Sequence, residues 1–237
     1  MRLSRFVPSA AGTANTGRPQ LLTIRTRRTD ALGPVGLRAS TLSWAPNSTT
    51  LLVQRGTSGY PTAAGSLTSF NIRNGAITRI GAGHDPAWST SSLLAWVCGR
   101  AICLRKPGSH LTTRIVAPTL WRPQKSQNGG YTGLAWSPDG ARLAFESART
   151  AESSRIFLVD RNGRNVRHLH PNDRNQQQAQ PTWSPDGRFI AYWAGLFRNH
   201  SAVYIKQLGR PKTVLVPAFD ATHYDFEDGF VWRPLAP

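Results

Sequence analysis

The sequence predicts an all-β fold assembled from repeated four-stranded units. A five-residue motif, Trp-Ser-Pro-Asp-Gly, occurs at residues 136–140 and again at 183–187. Each copy is followed by a segment in which apolar and polar residues alternate, as in a half-buried strand, and no window shows apolar residues at helical spacing. A period of about 40–50 residues with four short strands per unit is typical of a β-propeller.

The motif itself predicts a tight hairpin turn. Pro138 suits the second position of a type I turn, Asp139 suits the third, and Gly140 can take the positive φ that follows. Trp136 should therefore end one strand, and the next strand should run back antiparallel to it.

Degraded copies of the motif extend the pattern towards both ends of the chain. They begin at Trp44, Trp88 and Trp232, so the five tryptophans lie about 44 to 49 residues apart. Since the same position recurs in every unit, we interpret these tryptophans as packing between blades and not as ligand platforms.

The repeat resembles the WD40-like (PD40) repeats of the TolB family. Units of that family read Pro-x-Trp-Ser-Pro-Asp-Gly, followed by an alternating strand and by a strand that ends in Asp-x-x-Gly. The match is closest at residues 181–192 and 135–163, and it covers nearly all of the chain from about Pro19. The resemblance implies a TolB-like β-propeller, but the motif residues build turns and imply nothing about ligands.

The repeats divide the chain into a flexible N-terminal segment, residues 1–18, and a single β-propeller domain, residues 19–237. Residues 20–26 and 35–40 are expected to be the third and fourth strands of a blade that lacks its first strand, with a second strand at Phe6 and Val7 or none. Residues 229–234 look like a first strand without successors. Pairing of the two termini would close a five-bladed ring. The alternative is an incomplete six-bladed TolB-like propeller.

The expected connections differ between the two faces of the propeller. One face should have only tight turns, whereas the other should have the long inserts 55–66, 118–132, 170–180 and 217–228. Insertions on one face of a repeat array usually mark the binding face, and Trp121 lies outside the repeat register there. The candidate binding residues are Trp121, Arg122, Lys125, Tyr131, Arg174, Gln177, His223, Tyr224 and Asp225.

Catalytic motifs are not found: the sequence has no G-x-S-x-G, H-E-x-x-H, Walker or C-x-x-C pattern. His84, His170 and His223 each precede a repeat tryptophan with an acid nearby, so they are weak candidates for a metal site. They lie at different distances from their tryptophans, which argues against equivalent positions around the axis. We therefore expect no metal and no cofactor.

The net charge is +17, and nearly all of the basic residues are arginines. They are scattered along the chain without a run of five like charges, which favours a solvated exterior over a specific nucleic-acid site. No stretch approaches the roughly 20 apolar residues of a membrane span. No signal peptide is visible at the N-terminus, so the chain is cytoplasmic as given, or exported if its true start is missing.

The two cysteines, Cys98 and Cys103, leave two interpretations open. A four-residue loop would set them opposite each other and permit a disulfide. A two-residue turn at Gly99 and Arg100 with both thiols reduced is the alternative, so the compartment does not follow from them.

The function predicted from the sequence is that of a non-catalytic, monomeric module that binds a protein or peptide on the face with the long inserts. One alternative is a metal-assisted carbohydrate lyase of the oligogalacturonate type, or another propeller hydrolase or lyase, which rests on a related propeller family. The other is nonspecific binding of anionic polymers by the arginine-rich surface.

Overall fold

The computed structural model describes residues 2–8, 17–23, 28–31, 41–55, 65–106, 108–115, 130–148, 154–170, 177–196, 199–211 and 213–221. These residues form strands and turns, without a helix. The strands are β1 (Arg2–Pro8), β2 (Gly17–Thr23), β3 (Arg28–Ala31), β4 (Thr41–Trp44), β5 (Thr50–Arg55), β6 (Ser66–Asn71), β7 (Ile77–Ala82), β8 (His84–Trp88), β9 (Leu94–Val97), β10 (Ile102–Arg105), β11 (Thr113–Ile115), β12 (Gly130–Trp136), β13 (Arg142–Ala148), β14 (Ser154–Asp160), β15 (Arg167–His168), β16 (Gln177–Trp183), β17 (Phe189–Leu196), β18 (Asn199–Gln207) and β19 (Thr213–Ala221).

Four antiparallel sheets of four strands follow one another along the chain. They are β4–β7, β8–β11, β12–β15 and β16–β19, here called blades 1 to 4. In each blade every strand pairs with its neighbours in sequence, so each blade is an up-and-down meander. This confirms the predicted all-β fold of four-stranded blades.

The first strands of the four blades lie next to one another. β4 contacts β8, β8 contacts β12, and β12 contacts β16. Each is an edge strand of its own sheet, while the fourth strand forms the opposite edge. The first strands therefore form the inner edge of the array and the fourth strands its outer edge.

The hydrophobic core lies between the blades. Because successive side chains of a strand point to opposite faces of a sheet, Ala144 joins a cluster shared with blade 4 while Phe145 joins one shared with blade 2. The Phe145 ring stacks on Phe157, with 5.6 Å between ring centroids, and meets the edge of Tyr131 at 5.7 Å. A separate cluster joins blades 1 and 2 around Leu52 and Trp96.

Two of the repeat tryptophans link their blade to the one before it by a hydrogen bond. Trp136 Nε1 donates a hydrogen bond to the carbonyl oxygen of Ala87 at 3.2 Å, and Trp183 Nε1 donates to that of Ala135 at 3.0 Å. Ala87 and Ala135 each directly precede the tryptophan of the preceding blade. Trp88 Nε1 is buried and has no partner among the described residues. The indoles thus pack between blades, as predicted.

The motif turns have the expected geometry in all four blades. Gly140 and Gly187 have φ of 64° and 68°, and Ser48 and Ser92 occupy the same left-handed position in the degraded copies, with φ of 53° and 62°. In the complete motif Asp139 Oδ1 accepts a hydrogen bond from the Ala141 amide at 3.0 Å. The degraded copies are therefore structurally equivalent to the complete ones.

The N-terminal sheet differs from the prediction in its details. Strand β1, Arg2–Pro8, lies in the segment that the sequence predicts to be flexible, and it pairs along its whole length with β2. The Ser-, Ala- and Gly-rich composition behind that prediction is concentrated in residues 9–16, outside this strand. Strand β3, Arg28–Ala31, pairs with β2 where the sequence predicts a partner at residues 35–40.

Closure of the ring remains a prediction. The described N-terminal sheet has three strands, in the order β1-β2-β3. The expected closing strand, residues 229–234, lies outside the described residues, as do residues 35–40.

The cysteines combine features of both sequence interpretations. Cys98 N donates to the carbonyl oxygen of Ala101, which closes a two-residue turn at Gly99 and Arg100. Cys98 and Cys103 are nonetheless joined by a disulfide, with 5.8 Å between their Cα atoms. The two cysteines are not directly opposite each other in the hairpin, because Cys103 pairs with Trp96 in the strand register. The disulfide therefore crosses the hairpin diagonally.

Candidate functional site: the inner-strand bulges and the long-loop face

Connections sort onto two faces, as predicted. The face that we call the tight-turn face has the connections 45–49, 72–76, 89–93, 106–112, 137–141, 161–166, 184–188 and 208–212. The opposite face, the long-loop face, has the longer connections 32–40, 56–65, 116–129 and 169–176. It also has short ones: Gly83 alone joins blades 1 and 2, and β19 runs to Ala221, so part of the insert expected at 217–228 is strand.

Gly83 shows why that link can be so short. A Cβ atom on this residue would lie 2.1 Å from the Val97 carbonyl oxygen, and its φ is 144°. No other residue type fits this approach of two backbones without a shift.

Three inner strands contain a β-bulge at the same repeat position. The strand register shifts at Asp85, Gly133 and Gln180, each of which lies three residues before its repeat tryptophan. All three have left-handed φ, at 47°, 59° and 52° respectively. Such backbone is uncommon for residues other than glycine, and least expected of the long side chain of Gln180.

Polar groups of neighbouring blades meet at these bulges. Asp85 N donates to Gln54 Oε1 at 3.0 Å, and Gly133 N donates to Asp85 Oδ2 at 3.3 Å. A Cβ on Gly133 would lie 3.3 Å from Pro181 Cδ, so blade 4 approaches the same point. The bulges are thus joined by contacts that run from blade 1 to blade 4.

Asp85 is the charged group of this arrangement. Its Oδ2 lies 3.7 Å from His84 Nδ1, and its side chain is 32% exposed. One carboxylate oxygen already accepts from Gly133, so the group is fixed in place while part of it still reaches solvent. A positioned carboxylate of this kind can accept hydrogen bonds from a cationic or amide-bearing ligand.

A second buried polar group lies in blade 4. Gln178 is fully buried, and its Oε1 accepts from the Ile156 amide at 3.2 Å. Its Nε2 has no hydrogen-bond partner among the described residues.

Most of the binding residues predicted from the sequence lie outside the described residues. These are Trp121, Arg122, Lys125, Arg174, His223, Tyr224 and Asp225. Gln177 begins β16 and is half-buried opposite Gly195. The prediction that Tyr131 is a binding residue is wrong, because its side chain is 1% exposed and belongs to the core between blades 2 and 3.

The candidate metal ligands do not come together in the described part of the chain. His84 begins the inner strand β8, whereas the His170 ring contacts the hydroxyl of Thr213 on the outer strand β19. The described residues contain no group of three His, Cys, Asp or Glu side chains that could hold a metal ion. His223 lies outside them.

The sequence pattern does not predict these bulges. Asp85 and Gln180 each precede a proline, Pro86 and Pro181, two residues before the repeat tryptophan. Both sites thus share a Pro-x-Trp pattern. Local composition nevertheless does not predict that the residue before the proline adopts a left-handed backbone.

Known β-propeller structures share this architecture. TolB from Acinetobacter baumannii aligns with 90% of this chain and 52% of its own, with a TM-score of 0.63 and 16% identity. The chain has the fold of the TolB-like β-propellers. The β-propeller domain of the Trilobed protease from Pyrococcus furiosus, described as having an open velcro topology, aligns with 91% of this chain and 65% of its own at a TM-score of 0.61 and 10% identity.

Similarity in sequence is more limited. No protein-family model matches the chain. An uncharacterized peptidase of Bacillus subtilis is 35% identical over 70 residues, which is 30% of this TolB-like propeller and 10% of the peptidase. This chain thus spans about half to two thirds of the structural relatives and a small part of the peptidase. Among the described residues, none belongs to a helix long and apolar enough to span a membrane.

Proposed function

We propose that this TolB-like propeller is a non-catalytic module that binds a protein or peptide on its long-loop face. The observation that supports the proposal most directly is the sorting of connections. In blades 1 to 4 each connection of the tight-turn face is short, whereas the longer connections 56–65, 116–129 and 169–176 all leave the blades on the opposite face. Long loops that lie outside the repeat and occur on one face of a repeat array are typical of a binding surface.

The inner-strand bulges give the proposal a second support. Asp85 and Gln180 adopt left-handed backbone inside strands, which costs of order 1–3 kcal/mol each and tends to persist at sites that hold ligands. Asp85 also presents a partly exposed carboxylate there. A bound peptide could donate backbone amides or a basic side chain to it.

A non-catalytic role is favoured over a hydrolase by the sequence itself. The chain has no G-x-S-x-G nucleophile motif, and it matches only a small part of the peptidase mentioned above. A propeller that accompanies a separate catalytic unit would fit both facts.

The proposal is tested by capture of a partner from soluble extract with purified wild-type protein, Trp121→Ala and Tyr224→Ala, followed by mass spectrometry. The two variants should lose the partner that the wild type retains, while their melting temperatures stay within about 2 °C of it. Val214→Ala is the matched control, because Val214 is 63% exposed and belongs to the tight-turn end of β19.

Two results would contradict the proposal. One is equal recovery of the partner by all four proteins. The other is loss of the partner by Val214→Ala and not by the long-loop variants.

A further inference from the structure

The tight-turn face collects basic side chains that are dispersed in the sequence. Exposed basic residues occur in its turns in every blade: Arg73 in blade 1, Lys106 in blade 2, Arg161 and Arg164 in blade 3, and Arg188 and Arg210 in blade 4. None of these six forms a salt bridge with another described residue. Their charges are therefore available to a partner.

The acids of the same face are fewer and are already engaged. Asp139 and Asp186 accept hydrogen bonds from Ser137 and Ser184 inside their own turns. Asp160 accepts from Asn165 Nδ2 at 2.6 Å. The described part of the face thus has an excess of positive charge.

Exposed apolar side chains lie at the same end of the blades. The large hydrophobic residues exposed in the described chain are Ile77 at 50%, Leu111 at 84% and Val214 at 63%. Each lies in, or directly after, the turn between the third and fourth strands of its blade. They belong to blades 1, 2 and 4, so they are distributed around the face and do not form one patch.

We propose that the tight-turn face docks on the surface of a membrane that contains anionic lipids. Basic side chains attract such a surface, and apolar side chains beside them can enter the boundary between headgroups and acyl chains. Short turns on all four blades let cations and apolar residues meet a flat surface together. This surface is separate from the long-loop face, which would then point away from the membrane and stay open to a partner.

Nucleic acid fits the same face less well. Recognition of a duplex usually needs an element that enters a groove, and binding of single strands relies on exposed aromatic rings for stacking. The tight-turn face offers short turns only, and its exposed apolar side chains are aliphatic.

The test measures sedimentation of the full chain with vesicles at physiological ionic strength, about 0.15 M. Vesicles of phosphatidylcholine with ~30% phosphatidylserine are compared with phosphatidylcholine alone. The triple variant Arg73→Gln, Arg164→Gln, Arg210→Gln should bind the anionic vesicles about a hundredfold more weakly. The control triple Arg79→Gln, Arg100→Gln, Arg114→Gln removes the same charge from outer strands and the long-loop face, and should bind within about threefold of the wild type.

A second pair of variants separates a membrane from other polyanions. Leu111→Ser and Ile77→Ser leave the charge unchanged, and each should weaken vesicle binding about tenfold. Equal losses in the two arginine triples, equal binding to both kinds of vesicle, or no effect of the serine variants would overturn the proposal. Tighter binding to an RNA oligonucleotide than to the anionic vesicles would assign the face to nucleic acid instead.

Discussion

A single indole nitrogen can be assigned a role by comparing repeats. Trp136 and Trp183 occupy equivalent positions and both donate to a carbonyl of the preceding blade, whereas the buried Nε1 of Trp88 has no partner among the described residues. In the described part of the chain the same residue type therefore contributes a hydrogen bond at two blade junctions and packing at a third. Trp88 therefore serves as an internal control for the contribution of that hydrogen bond to the free energy of unfolding.

Replacement of Trp183 by Phe should destabilise the protein by about 2 kcal/mol. The change removes the donor and leaves the partly buried Ala135 carbonyl without its partner, which typically costs about 1–3 kcal/mol. Trp88→Phe makes the same change in shape without losing a hydrogen bond, so it should cost about 1 kcal/mol or less. Urea unfolding followed by circular dichroism measures both, and equal losses would show that the bond contributes nothing.

Tyr131 shows where residue-by-residue interpretation of the sequence fails. The sequence predicts an insert at residues 118–132, which includes Tyr131. In the structure the bulge at Gly133 absorbs an extra residue, and the strand continues back to Gly130. Tyr131 then pairs opposite Ser147 and points into the core, a result that depends on partner strands and not on local composition.

At the level of elements, the hairpin turn was the best predicted part of the chain. Its geometry follows from local chemistry, because Pro, Asp and Gly each have a steric or hydrogen-bonding reason to be where they are. In blade 1 Asn47 stands in place of the aspartate and has the same role, because its Oδ1 accepts hydrogen bonds from the amides of Thr49 and Thr50 at 3.0 Å. The backbone conformation of the long inserts could not be predicted in the same way, because their sequences do not recur from blade to blade.

Turn glycines should differ in how costly their replacement is. Gly140 and Gly209 both have left-handed φ, at 64° and 75°, so an alanine at either one should cost about 1–2 kcal/mol. A Cβ at Gly140 would also lie 3.2 Å from Ser91 Oγ in blade 2, whereas nothing lies within 4 Å of one at Gly209.

Gly140→Ala should therefore be the more destabilising of the two, as measured by melting temperature. Identical losses would mean that the contact between turns of adjacent blades relaxes freely.

At the level of the whole molecule, stability comes from the junctions between blades. Three of the four core clusters among the described residues join adjacent blades, while the fourth, around Leu51 and Phe70, lies within blade 1. The fold class and the division into faces could be predicted from the sequence because they follow from the repeat. Ring closure and the contents of the long-loop face depend on residues outside the repeat pattern.

Acid should weaken the protein through its turns. The hydroxyl of Ser137 and then the Ala141 amide lower the pKa of Asp139 below its ordinary 3.8, and Ser184 does the same for the pKa of Asp186. Because these pKa values are lowered in the folded protein, the stabilisation is complete above about pH 4 and is lost as the pH falls towards the folded-state values.

The double variant Asp139→Asn, Asp186→Asn should keep both turns, as Asn47 does in blade 1, but lose this part of the acid sensitivity. Urea midpoints measured from pH 7 to about pH 3 test this. The comparison with wild type is needed because other groups also titrate: burial, and then Arg155, lower the pKa of His168. A wild type and double variant with parallel pH curves would refute the assignment.

The direction of the bonds between blades has a consequence for biosynthesis. The indoles of Trp136 and Trp183 and the amides of Asp85 and Gly133 donate to acceptors in the blade that precedes them in the chain. Two bonds run the other way: Thr90 Oγ1 donates to the Pro138 carbonyl oxygen, and the Ile156 amide donates to Gln178 Oε1. For the first four bonds the acceptor blade leaves the ribosome before the donor blade, so the newly made blade finds these acceptors already in place. Such blades can therefore be added one at a time during translation.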